Sequence, residues 1–331
     1  MLDPQRILIT GASGFVGTWL LSCLRAKLSP EDQIYALGQV NVSQSSSDTV
    51  HWHNLDIRDG ETVDALITTI RPTVLVHLAA QSHVQEAIKS PELTWAINLN
   101  GTMNLANAVM HHCPSCRFIF VSSSEVYGGA FKLSEKPLNE MARLDPENPY
   151  AASKAAADLF IGQMARQGLQ AVRFRPFNHT GPGQSTRFVV PSFASQVVRA
   201  EQSETERTIM VGNLSAVRDF LDVRDVVNAY ATAMLKPDPI EPGTILNLAS
   251  GRPRSIGSIL EALVAKSKIT ISIEIDEKKF RPNDTPFSAG DATLAKEILG
   301  WESTIAWDRT LDDILANLRS GSGSIEAITG K

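Results

Sequence analysis

Three cysteines among 331 residues cannot close a disulfide framework, and so low a count fits a reducing compartment. No apolar stretch approaches the ~20 residues needed to cross a bilayer. Asp3 and Pro4 precede a short apolar run that leads straight into glycines, which is not the pattern of a secretory signal. The cytoplasm is therefore the expected location. Basic residues are not in excess: 31 Lys and Arg against 36 Asp and Glu give a net charge of −5. A general nucleic-acid surface is excluded on that balance, and any anionic ligand has to be met by locally placed cations. No internal repeat is present. No metal site is expected either, because Cys113 and Cys116, after His111 and His112, have no second ligand pair. They read as a helix end and turn leading into a strand.

A hydrophobic fraction of 43% with 20% charged residues is ordinary for a globular protein of this length. The first half alternates β-rich runs with helical stretches, the pattern of a parallel sheet with crossover helices. Strands are expected at Arg6–Thr10, Gln33–Leu37, Thr73–Leu78, Arg117–Ser122 and Ala171–Arg175. Helices are expected near Phe15–Leu28, Thr62–Ile70, Leu93–His112 and Tyr150–Arg166. After Arg175 the rhythm breaks at Pro176, Gly181, Pro182 and Gly183, which is loop chemistry. Helices near Pro191–Ala200, Val223–Leu235, Ile256–Lys266, Ala292–Leu299 and Asp308–Leu318 follow, with strands near Ile209–Val211, Thr244–Ala249 and Thr270–Ile275. The fold class expected is α/β, a doubly wound parallel sheet over residues 1–175 with a smaller α/β lobe over 176–320. Residues 222–249 are expected to return to the sheet, and 321–331, rich in Gly and Ser, to form a flexible tail.

Gly11, Ser13, Gly14, Phe15, Val16 and Gly17 lie in a G-x-x-G-x-x-G loop between the first strand and the first helix. There, backbone N–H groups and the helix dipole can hold a pyrophosphate. An isolated glycine triplet could be only a tight turn, but its place in a strand-to-helix series favours dinucleotide binding. The second strand ends in Gly38-Gln39, without the carboxylate that would take the 2′-hydroxyl of NAD. NADP(H) is therefore favoured and NAD(H) possible. The Ser43–Ser47 loop either donates hydrogen bonds there or is simply flexible. Asp56 and Ile57, read as ending the third strand, are positioned for an adenine, although an Asp before a helix is also a common turn or cap residue.

Tyr150 and Lys154 are four residues apart on a predicted helix, so they share one face. A neighbouring ammonium is expected to pull the phenol below its ordinary value near ~10, which suits proton transfer during hydride exchange with a carbonyl. Alone, the pair is more often a plain solvated helix face. The strand over Arg117–Ser122 runs into Ser122, Ser123, Ser124 and Glu125, at the strand end where doubly wound sheets take ligands. A hydroxyl there can hold a substrate oxygen while Tyr150 transfers its proton. Arg218 and Arg281 are the local cations that an acidic protein needs to bind a diphosphate.

The glycine loop, Leu78-Ala79-Ala80, Asn98 before Gly101-Thr102, the serine-rich strand end with Tyr127-Gly128, and Tyr150 with Lys154 resemble, in that order, the extended short-chain dehydrogenase/reductase family, in its nucleotide-sugar branch. The resemblance covers about residues 5–318. It implies a Rossmann-like fold with a substrate-binding lobe, and Ser123, Tyr150 and Lys154 as catalytic residues. It also assigns the cofactor to Leu78, Ala79, Ala80, Asn98, Phe177, Tyr150 and Lys154 beside the glycine loop, and substrate to Gln81, Asn178, Gln184, Val190, Arg218 and Arg281. The segments Arg175–Gln184 and Val211–Phe220 are similar to those of reductases that act on the 4-keto group of GDP-4-keto-6-deoxy-D-mannose with NAD(P)H, yielding GDP-D-rhamnose. Gln81-Ser82-His83-Val84 and Ser124-Glu125 are more like the sugar 4,6-dehydratases, where a glutamate at the Glu125 position is the base. A 4,6-dehydratase or epimerase is therefore an alternative. A non-catalytic NAD(P)-sensing regulator is another, disfavoured by the intact triad. A homodimer through a four-helix bundle of the Leu93–His112 and Tyr150–Arg166 helices is also implied.

Overall fold

The structure, a computed structural model, describes residues 4–38, 50–134, 136–205, 207–276 and 285–321. Its central sheet is built from β1 (Arg6–Thr10), β2 (Gln33–Leu37), β3 (Val50–His53), β4 (Val74–His77), β5 (Arg117–Val121) and β6 (Ala171–Pro176). Between them run α1 (Phe15–Arg25), α2 (Gly60–Ile70), α3 (Val84–Lys89), α4 (Pro91–Trp95), α5 (Gly101–His112) and α6 (Pro149–Arg166). The remaining strands are β7 (Asn178–Thr180), β8 (Thr208–Val211), β9 (Val217–Arg218), β10 (Phe220–Asp222), β11 (Ile245–Leu248), β12 (Arg254–Ser255), β13 (Ser272–Ile275) and β14 (Phe287–Ser288). The remaining helices are α7 (Val189–Gln202), α8 (Val223–Leu235), α9 (Ile256–Ala265), α10 (Thr293–Leu299) and α11 (Trp307–Arg319).

The seven-stranded sheet has the order β11-β6-β5-β4-β1-β2-β3, and every pairing in it is parallel. The chain thus winds outward from β1 in both directions, and the reversal between β1 and β4 opens the crevice that such sheets offer to ligands. Continuous apolar runs such as Ile7, Leu8 and Ile9 follow from burial on both faces. One face packs on α1 and α8 through Trp19, Leu20, Val226 and Tyr230. The other packs on α2, α5 and α6 through Ile67, Val109, Phe118 and Ile161. The second lobe has its own core, in which Phe193, Val197, Ile259, Leu263 and Ile314 meet.

Four departures from the sequence expectations matter for the site. The helix expected over Leu93–His112 is broken into α4, a five-residue π-helical stretch at Ala96–Asn100, and α5. Such stretches inside helices are a frequent mark of functional sites, and here the stretch holds the buried Asn98. The region after β6 is not loop throughout, because Asn178, His179 and Thr180 pair with Phe220, Leu221 and Asp222 of β10. Residues 292–301, expected in the lobe, pack instead on the sheet through Ala295 and Trp301, with Leu294 and Leu299 against them. A further 3-10 segment, Ser124–Leu133, carries the chain away from the end of β5.

Candidate active site

Local sequence sets the position of the two residues that stand out on α6. Asn148 caps the helix by accepting from the Ala151 N–H at 2.9 Å, and Pro149 fixes the first turn. Tyr150 therefore begins the helix and Lys154 sits one turn further on, both buried. Ser123, buried at the end of β5, acts on the Tyr150 phenol and draws its value down. Ser123 Oγ also accepts from the Glu125 N–H at 3.2 Å, which fixes its direction. Glu125 is half-buried, and its carboxylate accepts from Asn148 Nδ2 at 3.4 Å.

The expectation that Lys154 lowers the Tyr150 phenol is not met. Burial pushes that phenol up to about 12; the neighbouring Ser123 hydroxyl pulls downward without prevailing, and the nearby Glu125 charge pushes the same way as burial. Lys154 Nζ instead donates to the Val121 carbonyl at 2.5 Å and lies 4.6 Å above the Phe120 ring. Its own value is lowered to about 8 by burial, opposed by the Asp158 carboxylate one turn along the helix. At neutral pH Tyr150 is thus a held proton donor, and Lys154 a cation that burial leaves close to titrating.

Asp158 and Arg175 were not singled out by the sequence. Asp158 is wholly buried; burial alone would raise its carboxyl, but Arg175 and Arg173 reverse the sign. Arg175 holds it bidentately, Nε to Oδ2 and Nη2 to Oδ1 both at 2.9 Å, and Arg173 adds Nη1 to Oδ1 at 3.0 Å. Arg175 then reaches the Tyr127 hydroxyl at 3.2 Å, which donates to Asn247 Oδ1 at 2.7 Å. This buried chain fixes α6 against β6 and β11. An acid one turn beyond Lys154 was the available signal.

On the cofactor side, Gly11 has φ +71°, and a Cβ there would come within 2.7 Å of Ala79 N. A Cβ on Gly17 would lie 2.4 Å from the Gly11 carbonyl, so glycine lets α1 press against the loop. No side chain caps α1 at Gly14 and no carboxylate lies in its first turn. Its leading N–H groups and dipole are therefore directed outward beside exposed Ser13, a geometry suited to a pyrophosphate. Phe15, Val16, Leu78 and Ala80 border the loop, half-buried. Thr10 Oγ1 accepts from the Ala79 N–H at 3.1 Å and meets His77 Nδ1 at 2.7 Å, while His77 Nε2 meets Thr102 at 2.9 Å. Burial, helped by the Lys154 charge, lowers His77 to about 3, which keeps the ring neutral.

Asn98 joins the two halves. Its Oδ1 accepts from the Gln81 N–H at 2.8 Å, and its Nδ2 donates to Ser153 Oγ at 2.9 Å. Gln81 spends its amide on His83, accepting from that N–H at 2.6 Å and donating to that carbonyl at 3.0 Å. Gln184 likewise holds its own loop, through Thr180 Oγ1 at 2.7 Å and the His179 carbonyl at 3.0 Å. Asn178 lies in β7, and Phe177 is buried against Tyr127, Phe131 and the backbone of Gly290.

Other sequence candidates already have partners or packing within the chain. The Asp56 carboxylate is taken by Arg58, Nε to both oxygens at 3.0 and 2.9 Å, a pairing that lowers its value. Ile57 is buried, filling the space over Gly101. Val190 is 1% exposed within the lobe core, so its side chain serves packing rather than substrate contact. Arg218 Nη1 donates to the Val217 and Thr285 carbonyls at 2.9 and 2.5 Å. Arg281, Gln39 and the Ser43–Ser47 loop lie outside the described residues. Cys113 and Cys116 are buried, with burial raising both thiols. Among the described residues no group of three or more His, Cys, Asp or Glu is placed to hold a metal ion, and no helix is long and apolar enough to cross a membrane.

With this geometry established, comparison with known proteins narrows the reading. A family model described as GDP-mannose 4,6 dehydratase matches residues 8–314. The GDP-6-deoxy-D-mannose reductase of Pseudomonas aeruginosa is 33% identical over 317 residues, covering 96% of this chain and 98% of that protein. GDP-mannose 4,6 dehydratase 2 of Caenorhabditis elegans is 26% identical, covering 94% of this chain and 88% of the relative. Among solved structures, that of RMD from Pseudomonas aeruginosa complexed with NADPH superposes with a TM-score of 0.82 at 31% identity, covering 96% of this chain and all of the other. A Thermus thermophilus UDP-glucose 4-epimerase in complex with NAD reaches the same TM-score at 24% identity, over 96% of this chain and 100% of that one, which speaks to the fold alone.

Proposed function

The chain belongs to the GDP-mannose 4,6-dehydratase family of extended short-chain dehydrogenases/reductases, and on that premise we propose that it is a reductase. It passes hydride from NADPH to the 4-keto group of GDP-4-keto-6-deoxy-D-mannose, giving GDP-D-rhamnose. Tyr150 donates the proton to the forming oxyanion, Ser123 orients that oxygen, and Lys154 supplies positive charge beneath it. The observation that carries the reading is the buried Tyr150 at the start of α6, one turn before the buried Lys154, with burial holding its phenol well above its ordinary value. That is the state a ketone reduction draws on. The glycine loop and the uncapped start of α1 take the cofactor diphosphate, and a nicotinamide cofactor supplies the hydride when bound. Two points favour NADPH over NADH: β2 runs into Gly38 without a carboxylate, and the reductase-like solved structure carries NADPH.

Glu125 favours a second reading, a 4,6-dehydratase, because its carboxylate stands two residues from Ser123 and bears on the Tyr150 phenol. Stoichiometry separates the two. Purified protein given the keto sugar and NADPH should consume one reduced cofactor per sugar converted. Conversion of GDP-mannose without net change in the nicotinamide absorbance would overturn the reductase reading.

We also infer a homodimer through α4, α5 and α6, supported by the exposed apolar side chains of Leu93 and Trp95 on α4 and of Leu159 on α6.

A further inference from the structure

Neither the sequence motifs nor the comparisons assign a role to His77, the last residue of β4. It is 1% exposed, and both ring nitrogens are engaged: Nδ1 lies 2.7 Å from Thr10 Oγ1, and Nε2 lies 2.9 Å from Thr102 Oγ1. Burying two ring nitrogens costs free energy unless each is satisfied, so an apolar side chain would fill this space better if filling were all it did. The two threonines come from different layers. Thr10 ends β1, immediately before Gly11, and Thr102 lies in the first turn of α5.

Hydrogen counting identifies which nitrogen carries the proton. The Thr102 hydroxyl has one hydrogen, and it goes to the Asn98 carbonyl at 2.6 Å, an oxygen that can only accept. Thr102 Oγ1 must therefore accept from His77, which places the ring proton on Nε2. Burial and the Lys154 charge both oppose a second proton, so Nδ1 is a bare acceptor and takes the Thr10 hydroxyl hydrogen. Thr10 Oγ1 in turn accepts from the Ala79 N–H at 3.1 Å. Every donor in the chain from Ala79 through Thr10, His77 and Thr102 to Asn98 thus points the same way. The other tautomer would set two lone pairs against each other at Thr102, in a dry interior where such a conflict is costly.

The far end of the chain reaches α6. Asn98 Nδ2 donates to Ser153 Oγ at 2.9 Å, and Ser153 Oγ donates to the Tyr150 carbonyl at 2.8 Å. Thr10, Asn98, Thr102 and Ser153 are buried as deeply as His77, so solvent does not compete for these bonds. The near end is the strand that runs into the glycine loop. We propose that His77 is a positioning residue: as the Nε2–H tautomer it holds Asn98, and the first turn of α6 with Tyr150 on it, in fixed relation to the cofactor loop. Its consequence for turnover rests on the reductase reading above; the tautomer and the bond chain do not.

Nitrogen NMR of the imidazoles in the full chain tests the tautomer, the His77 signals being those absent from His77→Gln. A protonated Nε2 with an acceptor Nδ1 is expected, and a proton on Nδ1 overturns the proposal. NMR of ring-labelled tyrosine reads the effect on the site without turnover, with Tyr150 assigned from Tyr150→Phe. His77→Phe should shift the Tyr150 ring signal and lower kcat for the keto sugar about tenfold, with KM for NADPH within about threefold of wild type. His77→Gln sets a side-chain amide near the Nε2 position and His77→Asn sets one near Nδ1. The glutamine should therefore restore kcat and the Tyr150 signal, and the asparagine should not. Equal recovery by both overturns the proposal, since the ring would then only fill space, and so does a kcat and a Tyr150 signal both unmoved in His77→Phe. If wild type does not reduce the keto sugar, the reductase reading fails and His77 is judged on the two spectra. Should His77→Phe fold poorly, the wild-type imidazole spectrum and the comparison of glutamine with asparagine still decide.

Discussion

The indole N–H of Trp19 donates to the Pro182 carbonyl at 3.1 Å, tying the helix behind the glycine loop to the Gly181–Gln184 loop. Trp19 is buried, and a Cβ on Gly181 would lie 3.7 Å from the Phe15 ring, so the two candidate ligand loops touch twice. Trp19→Phe keeps the ring's bulk and removes the donor. Its expected effect is a rise of about fivefold in KM for the sugar nucleotide, worth ~1 kcal/mol, with kcat little changed. Steady-state kinetics check this, and a fall in kcat alone contradicts it.

Tyr150→Phe removes the proton donor and leaves its ring. Turnover should fall by roughly 10²- to 10⁴-fold, the range for general acid catalysis. Binding of NADPH, followed by fluorescence, should stay near wild type, since the phenol hydroxyl is one contact among many.

Lys154 sets the pH dependence on the basic side. Its value in the folded protein is about 8, so kcat/KM for reduction should fall as pH rises through that value and the ammonium is lost. Stability runs the opposite way. The folded value lies below the unfolded one near ~10.4, so between them the unfolded chain binds more protons and stability rises with pH. The burial cost of Lys154 is therefore complete below about pH 8 and relieved above it. Urea unfolding of wild type and Lys154→Met at several pH values should show a difference that drifts over this window, and a constant difference would contradict it.

Asp225 clamps the segment after α10. Its carboxylate accepts from Thr304 N at 3.2 Å, Ile305 N at 3.0 Å and the hydroxyls of Ser303 and Thr304, while its own carbonyl takes the Trp301 indole N–H. Asp225→Ala takes the acceptor from two part-buried N–H groups and two hydroxyls and should cost roughly 2 kcal/mol. A lower denaturant midpoint with unchanged slope is the expected result.

Leu159→Asp places a charge on the exposed apolar face of α6. Sedimentation should show a monomer where wild type shows a dimer, and a monomeric wild type would remove the basis for the inferred interface.

Much of the central sheet was legible because its strands are buried on both faces and read as apolar runs, and because glycine at positions 11, 14 and 17 has few other uses after a strand. Two-residue strands such as β9 and β12 carry no periodic signal and exist through long-range pairing. The π-helical stretch at Ala96–Asn100 was hidden for a similar reason: its residues look helical, and what redirects them is the tertiary partnership of Asn98 with Gln81 and Ser153. Position was recoverable for Ser123, Tyr150 and Lys154, but the proton affinities of Tyr150 and Lys154 were not. Those depend on burial, which reversed the shift expected for Tyr150. Val190 shows the opposite failure, a residue placed by motif whose side chain the lobe core takes up.

The sheet order has a consequence for how the protein is made. β11 completes the sheet beside β6, yet it is synthesised about seventy residues later. At ~5–20 residues per second, the ribosome leaves the β6 edge without its neighbour for on the order of 4–14 s. During that interval a row of backbone donors and acceptors is open to any other extended chain. Yield in a cell is therefore governed by what shields that edge during translation, a demand that the finished enzyme no longer displays.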